Sequence, residues 1–301
     1  MQQQFKVHGA LFLVTLLYSA NFSIAKEIMP QYVQPYGLIL LRVAGAVLFF
    51  VPLTFFKVQE RIRGAADWRR IILCGFFGIT LNQLAFFGGL SLTSPINASL
   101  ITTFSPIVVL LLSAILLKER VALSRMAGIA LAALGAYLLI SGRTNTQSPG
   151  NPLGDLLVLL NATAYGIYLV LVKPLMQRYQ ALTVVTYVFM IGFIGVLPFG
   201  VPQLLEAQYA TFPWSVWAAI AFTIMGVTIL VYLLNAWAMK FASPSLVGVY
   251  MYLQPMIAIF IAVGLGKDVF TWQKALFAVM ILAGVFLVSR PKREIPRTAG
   301  I

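Results

Sequence analysis

The sequence predicts an all-α integral membrane protein, with ten transmembrane helices arranged as two inverted five-helix repeats. Three observations predict it. Apolar runs of spanning length follow one another almost end to end. Lys and Arg gather in alternate connecting segments. Proline, glycine and charged residues recur in register between the two halves of the chain.

The 301 residues are 60% hydrophobic and only 10% charged. A soluble chain carries about 25% charged residues to cover its surface, whereas a spanning helix needs about 20 apolar residues. Backbone in lipid must satisfy its own hydrogen bonds, and long apolar runs do so as helices. A single cysteine, Cys74, excludes an intrachain disulfide or a cysteine metal cluster. A single histidine, His8, argues against a His-based metal or catalytic site. No cofactor is expected.

The first run, 7–28, is too long, and too promptly followed by another, to be a signal peptide, and its polar residues fall inside it. Spans two (36–56) and three (69–89) flank the basic segment "KVQERIRGAADWRR" at 57–70. Span four (94–117) opens Ser-Pro. Span five (124–141) places Gly128, Ala132 and Ala136 at four-residue spacing, a face for close helix packing within the monomer or at a homodimer contact. The polar, turn-forming "GRTNTQSPGNP" at 142–152 lies near the midpoint and reads as a joint. Spans six to ten follow at 153–173, 182–201, 214–239, 243–266 and 272–289, span nine with its own small face of Ala258, Ala262 and Gly266. The chain thus divides into a first repeat (1–143), a linker (144–152), a second repeat (153–290) and a basic tail (291–301).

The net charge of +13 would suggest nucleic acid in a soluble chain. Here its placement decides. With the N-terminus inside, sixteen of the 21 Lys and Arg fall in cytoplasmic segments and four outside, with Arg42 within span two. Cytoplasmic loops retain Lys and Arg, so both termini are expected inside and the basic rim faces anionic headgroups. The expected partners are the bilayer and a small-molecule substrate, not nucleic acid. Four of the five tryptophans (Trp68, Trp214, Trp217 and Trp272) fall near span starts, as interfacial anchors.

"SPINASLITTFSP" (94–106) and "SPSLVGVYMYLQP" (243–255) begin Ser-Pro and end in Pro at the same spacing. Their offset of 149 holds without a gap from Ser94/Ser243 through Pro106/Pro255 and Glu119/Asp268 to Gly135/Gly284. Upstream an offset of 147 pairs Tyr18 with Tyr165, Lys26 with Lys173 and Tyr32 with Tyr179. Five spans per half inverts the second half in the membrane. Inverted repeats exchanging shapes around a central site are the architecture of alternating access.

Pro106 and Pro255 each free the carbonyl four residues earlier, which is costly in lipid unless it faces protein or a wet cavity. Ser99, Thr102, Thr103 and Pro106 share one helical face. Gly248, Met251, Tyr252 and Pro255 form the equivalent face. These faces are expected to line a transport path. Asn21, Asn82, Gln83, Asn161, Tyr165, Tyr168, Tyr232, Asn235, Tyr250 and Gln254 lie at comparable depth. Together they suggest a neutral, aromatic-lined pocket for a small amphipathic solute such as an amino acid, although any one could be interhelical glue. Lys26 and Arg42 are the deeper cations. They could draw a carboxylate, or Lys26 could snorkel and Arg42 could bond helix ends. All eight acids lie in loops or near span ends, so the mid-membrane carboxylate of a proton-coupled small-multidrug antiporter is missing.

"NASLITTFSPIVVLLLSAILLKERV", "GIALAALGAYLLI" and "SPSLVGVYMYLQPMIAIFIAVGLGKDVF" resemble the EamA-type family of the drug/metabolite transporter superfamily. Glu119-Arg120 stands at the family's Lys-Glu-Arg ending, and Asp268 stands where Glu is usual. Tyr18 replaces a frequent Trp in a first span that also carries Asn21 and Lys26. The resemblance implies a ten-helix exporter or permease for small metabolites in a bacterial inner membrane, and no enzyme. Export of an amino-acid-like or amphipathic metabolite is the expected function. Uptake or exchange of an anionic metabolite is the alternative, and a non-transport membrane protein the third.

Overall fold

The computed structural model describes residues 2–58, 60–117, 123–141, 151–238, 241 and 244–289. Glu119-Arg120, Ser243, the linker at 144–150 and the tail at 291–301 lie outside the described residues. Among the described residues every regular element is helical.

Helix α1 (Gln2–Ile28) is followed by α2 (Pro35–Lys57). Helix α3 (Ala65–Gly75) passes through a π-helical stretch, Phe76–Thr80, into α4 (Leu81–Leu92). Next come α5 (Pro95–Thr102), α6 (Ser105–Leu117) and α7 (Leu123–Ser141). After the joint run α8 (Pro152–Met176) and α9 (Ala181–Leu205). Helix α10 (Trp214–Ala221) continues through a second π-helical stretch, Phe222–Leu230, into α11 (Val231–Ala238), and α12 (Pro244–Gly264) and α13 (Trp272–Ser289) complete the chain. Seven helical stretches are long and apolar enough to cross a membrane, and three shorter apolar helices accompany them.

Local chemistry explains the starts. Pro35, Pro95 and Pro152 each occupy a first helical turn, where the N–H they lack would have no partner anyway. Ser94 and Asn151 cap their helices by accepting from the Asn97 and Leu153 N–H groups at 3.2 and 3.0 Å. Helix α12 ends at Gly264. Gly266, expected in its small face, instead lies beyond the helix at φ +64°. Its N–H donates to Val263 O and that of Lys267 to Ala262 O, the left-handed cap that glycine permits.

The expected fourth span is two helices. The backbone turns at Thr103 and Phe104, whose N–H groups bond three residues back, to Leu100 and Ile101. Ser99, Thr102, Thr103 and Ser105 each donate their hydroxyl to the carbonyl three residues earlier, at 2.8, 2.8, 2.6 and 3.1 Å. Such local bonding offers backbone an alternative to the helical ladder. Pro106 consequently sits in the first turn of α6, while Pro255 lies inside an unbroken α12.

Four helix pairs dominate the packing: α7 with α13, α2 with α9, α4 with α8, and α1 with α12. The first three are antiparallel. Along α2 and α9, Thr54 meets Thr186 at 2.6 Å while the Gln203 side-chain oxygen caps Tyr36 and Gly37 at 2.7 and 3.0 Å. Helices α7 and α13 close on glycine. A methyl group added to Gly128 would lie 2.7 Å from the Gly284 carbonyl oxygen, and one on Gly284 2.5 Å from that of Gly128. Helices α1 and α12 run parallel, with Thr15 and Ser19 donating to the Tyr250 and Gln254 carbonyls at 3.4 and 2.9 Å.

Candidate functional site

Arg42 organises a buried polar network. It projects from α2 and is buried. Its Nε donates to Thr228 Oγ1 at 2.5 Å, and its Nη1 donates to Gln83 Oε1 at 3.2 Å. The guanidinium carbon stands 5.6 Å from the centre of the Phe87 ring. Both polar partners owe their positions to π-helical backbone. Gln83 follows the Phe76–Thr80 stretch, and Thr228 lies within Phe222–Leu230, its hydroxyl donating to Thr223 O five residues back at 3.0 Å. An extra residue per turn re-aims the side chains beyond it, and such bulges occur frequently at functional sites.

From Gln83 the network continues. Gln83 Nε2 donates to Asn82 Oδ1 at 2.6 Å. The Asn82 and Asn161 amides donate to each other's backbone carbonyls at 3.2 and 3.0 Å, clamping α4 to α8. Four phenols border the same region. Arg42 interacts electrostatically with the Tyr18 and Tyr232 hydroxyls, and Tyr18, Tyr165, Tyr168 and Tyr232 interact with one another. The Tyr165 and Tyr168 rings lie 5.8 Å apart. Phe189 stands 5.2 Å from Tyr232 and 5.7 Å from Phe50. The assembly is one cation, several amides and phenols, and an apolar aromatic wall.

The other expected site residues are more scattered. Asn21 is buried in α1, and its Oδ1 has no hydrogen-bond partner among the described residues, an acceptor available to an N–H donor. Ser99 is buried, and Thr102 and Thr103 are half-buried, but their hydroxyls are spent on their own helix. The Thr102 carbonyl facing Pro106 accepts from Ser105. Asn235 is half-buried on α11, and Gln254 engages α1 through its carbonyl. Pro255 is buried; the Tyr252 side chain lies outside the described residues.

Lys26 serves the end of α4 rather than Arg42. Its ammonium donates to the carbonyls of Leu90, Ser91 and Thr93, capping the C-terminal end of α4, where the helix dipole favours a cation. Sequence reasoning did not single out Thr228 or the apolar Phe50 and Phe189. Nor did it single out Asp155, fully buried in the first turn of α8 and bonded to Thr93 and Asn97. The Thr223-to-Thr228 π-helical turn leaves no sequence signature. An Asp right after Pro-Leu-Gly reads as a span end, and only folding reveals that the end is enclosed.

A cavity of about 360 Å³ lies elsewhere, between the α1–α2 turn and the end of α9, lined by Gln31, Gln34, Gln203 and Glu206 among others. None of the expected site residues borders it. Among the described residues no group of three His, Cys, Asp or Glu could hold a metal ion.

The EamA-like transporter family matches residues 6–141 and again 152–290. An uncharacterized transporter of Archaeoglobus fulgidus is 26% identical over 96% of this chain and 99% of its own length. The uncharacterized transporter YyaM of Bacillus subtilis is 27% identical over 72% of each chain. A probable terminal-alkyne amino-acid exporter of Streptantibioticus cattleyicolor is 27% identical over 75% of this chain and 74% of its own. A solved crystal structure, 21% identical, superposes with a TM-score of 0.61 over 94% of this chain and 96% of its own, a likeness of fold alone. The relatives named here are transporters, not enzymes, and the apolar helices are those of a multi-pass membrane protein. With the family found twice along its length, this chain belongs to the EamA-like transporter family.

Proposed function

We propose that the chain is an alternating-access carrier that exports a small amphipathic, amino-acid-like metabolite. It has ten spans, the seven long apolar stretches and the three shorter ones, in two inverted halves. These are residues 1–143 and 153–290, joined by 144–152, with both termini and the basic tail at 291–301 in the cytoplasm of a bacterial inner membrane. The faces around Pro106 and Pro255 and the Arg42 network line the path.

One observation carries this reading: the packing exchanges with the repeat. Ser19 bonds the Gln254 carbonyl in the α1–α12 pair. Moving each residue to its counterpart gives Gly166 and Ser105, and a methyl on Gly166 would lie 3.0 Å from the Ser105 carbonyl oxygen. Likewise α4 on α8 becomes α11 on α1, while α7 with α13, α2 with α9 and α5 with α12 map onto themselves. The π-helical stretches at Phe76–Thr80 and Phe222–Leu230 fall at equivalent positions. A two-fold relation of this kind, with odd-numbered halves, lets the halves trade shapes around a shared centre. The named amino-acid exporter among the relatives supports the substrate class and the direction.

Counterflow tests the carrier. Liposomes holding the purified chain and unlabelled neutral amino acids inside are expected to take up external labelled amino acid faster than empty-lumen controls. Equal rates across the whole panel would reject the reading. Topology is tested separately. In a Cys74→Ala background, cysteines at Arg61 and after Arg290 are expected to resist a membrane-impermeant thiol reagent in intact cells, and a cysteine at Asn151 to react. Labelling of Arg61→Cys from outside would overturn the orientation and the inverted reading with it.

A further inference from the structure

Arg42 is a buried cation that no acid among the described residues neutralises. It is 7% exposed. Glu27 pairs with Lys267, Glu60 with Thr183, Asp67 with Arg178, and Asp268 with Lys274. Asp155 is held by Thr93 and Asn97, and Glu206 is exposed after α9. Taking a guanidinium out of water costs more than two neutral oxygens and a ring face return, and a cation at such depth in a membrane protein marks a functional site by default.

The guanidinium is also under-used. Of its five N–H donors, one on Nε and one on Nη1 make hydrogen bonds, and Nη2 makes none among the described residues. Two partners hold the group in place and leave donors on both terminal nitrogens, the pair with which arginine grips a carboxylate. The Tyr18 and Tyr232 side chains lie within electrostatic range of the guanidinium. The counterpart of Arg42 in the second half is Phe189, packed with Phe50 and Tyr232. The repeat therefore pairs one cationic position with one apolar aromatic position, a combination that suits a molecule with a charged head and an apolar tail.

We propose that Arg42 is the anchor for the carboxylate of the transported solute, whose apolar part packs toward Phe50, Phe189 and Tyr232. The assignment rests on the carrier reading and narrows it to small amphipathic monocarboxylates.

Matched pairs test it. The purified full chain in detergent is challenged with 3-phenylpropanoate and hexanoate, and with their neutral amides, and its thermal melting is followed. Each acid is expected to bind about tenfold or more tightly than its amide, the size of a charge-assisted hydrogen bond. Arg42→Gln is expected to erase that preference and Arg42→Lys to retain part of it. Because the acid–amide comparison is made first on the unaltered chain, it stands even where a variant fails to fold. No acid-over-amide preference for either pair, or a preference undiminished in Arg42→Gln, overturns the assignment. Counterflow in liposomes separates the two readings. Acid preference without counterflow of either acid rejects the carrier and keeps the anion site. Counterflow at equal rates for acid and amide keeps the carrier and rejects Arg42.

Discussion

Gly284→Val is expected to abolish accumulation of folded protein, with Gly128→Val nearly as severe. These glycines let α7 and α13 approach backbone to backbone. Even the methyl of alanine at Gly284 would meet the Gly128 carbonyl oxygen at 2.5 Å and the Ala132 nitrogen at 2.6 Å. Both are main-chain atoms, so no side chain can swing away and the helices must part. Association in lipid has no hydrophobic drive between helices and depends on such close packing. Parting them forfeits contacts along both helices, beyond the roughly 1–3 kcal/mol of ordinary overpacking. Gly9→Val is the control, since nothing lies within 4 Å of a methyl there. Yield of monodisperse protein by size-exclusion chromatography and its melting temperature read the effect. Wild-type behaviour of Gly284→Val would show that the two helices do not meet at this point.

Pro255→Ala is expected to slow transport about tenfold, a change of about 1.4 kcal/mol, while leaving membrane expression intact. Pro255 interrupts the ladder of an unbroken α12. Alanine restores an N–H to bond the Met251 carbonyl and straightens a helix that packs along α1. Pro106→Ala should act more weakly. There the chain already turns at Thr103, and the Thr102 carbonyl is taken by Ser105, so Pro106→Ala combined with Ser105→Ala is needed for a comparable loss. The two changes should bias the carrier toward opposite facing states, because the halves are inverted. Accessibility of cysteines placed near Thr102 and Tyr252, probed from each side of the membrane, reports that bias. Normal transport in Pro255→Ala would reduce the repeated proline spacing to architecture.

What the sequence left open at these positions has a common physical origin. Helical periodicity put Ser99, Thr102 and Thr103 on one face, but periodicity says nothing of what a hydroxyl does, and these turned back onto their own carbonyls. Lys26 was legible as a deep cation. That it caps α4 could not be read, because its three acceptors lie 64 to 67 residues away. Gly266 matched a packing stripe by spacing alone, whereas its left-handed conformation made it a helix stop.

Composition and the length of its apolar runs determined that the chain is helical and crosses a membrane, since a long continuous apolar run satisfies its own backbone there as a helix, whereas the strands of a barrel alternate. The repeat in its prolines, glycines and charges was equally visible, and so was the family. Tertiary structure decided which polar groups meet. Arg42, Gln83 and Thr228 are separated by 41 and 186 residues along the chain, and two π-helical turns rotate their carriers into register. A sequence fixes a helix through contacts three and four residues apart. It brings distant side chains together only through packing, and packing is where the buried Arg42 guanidinium, with no acid paired to it among the described residues, first becomes visible.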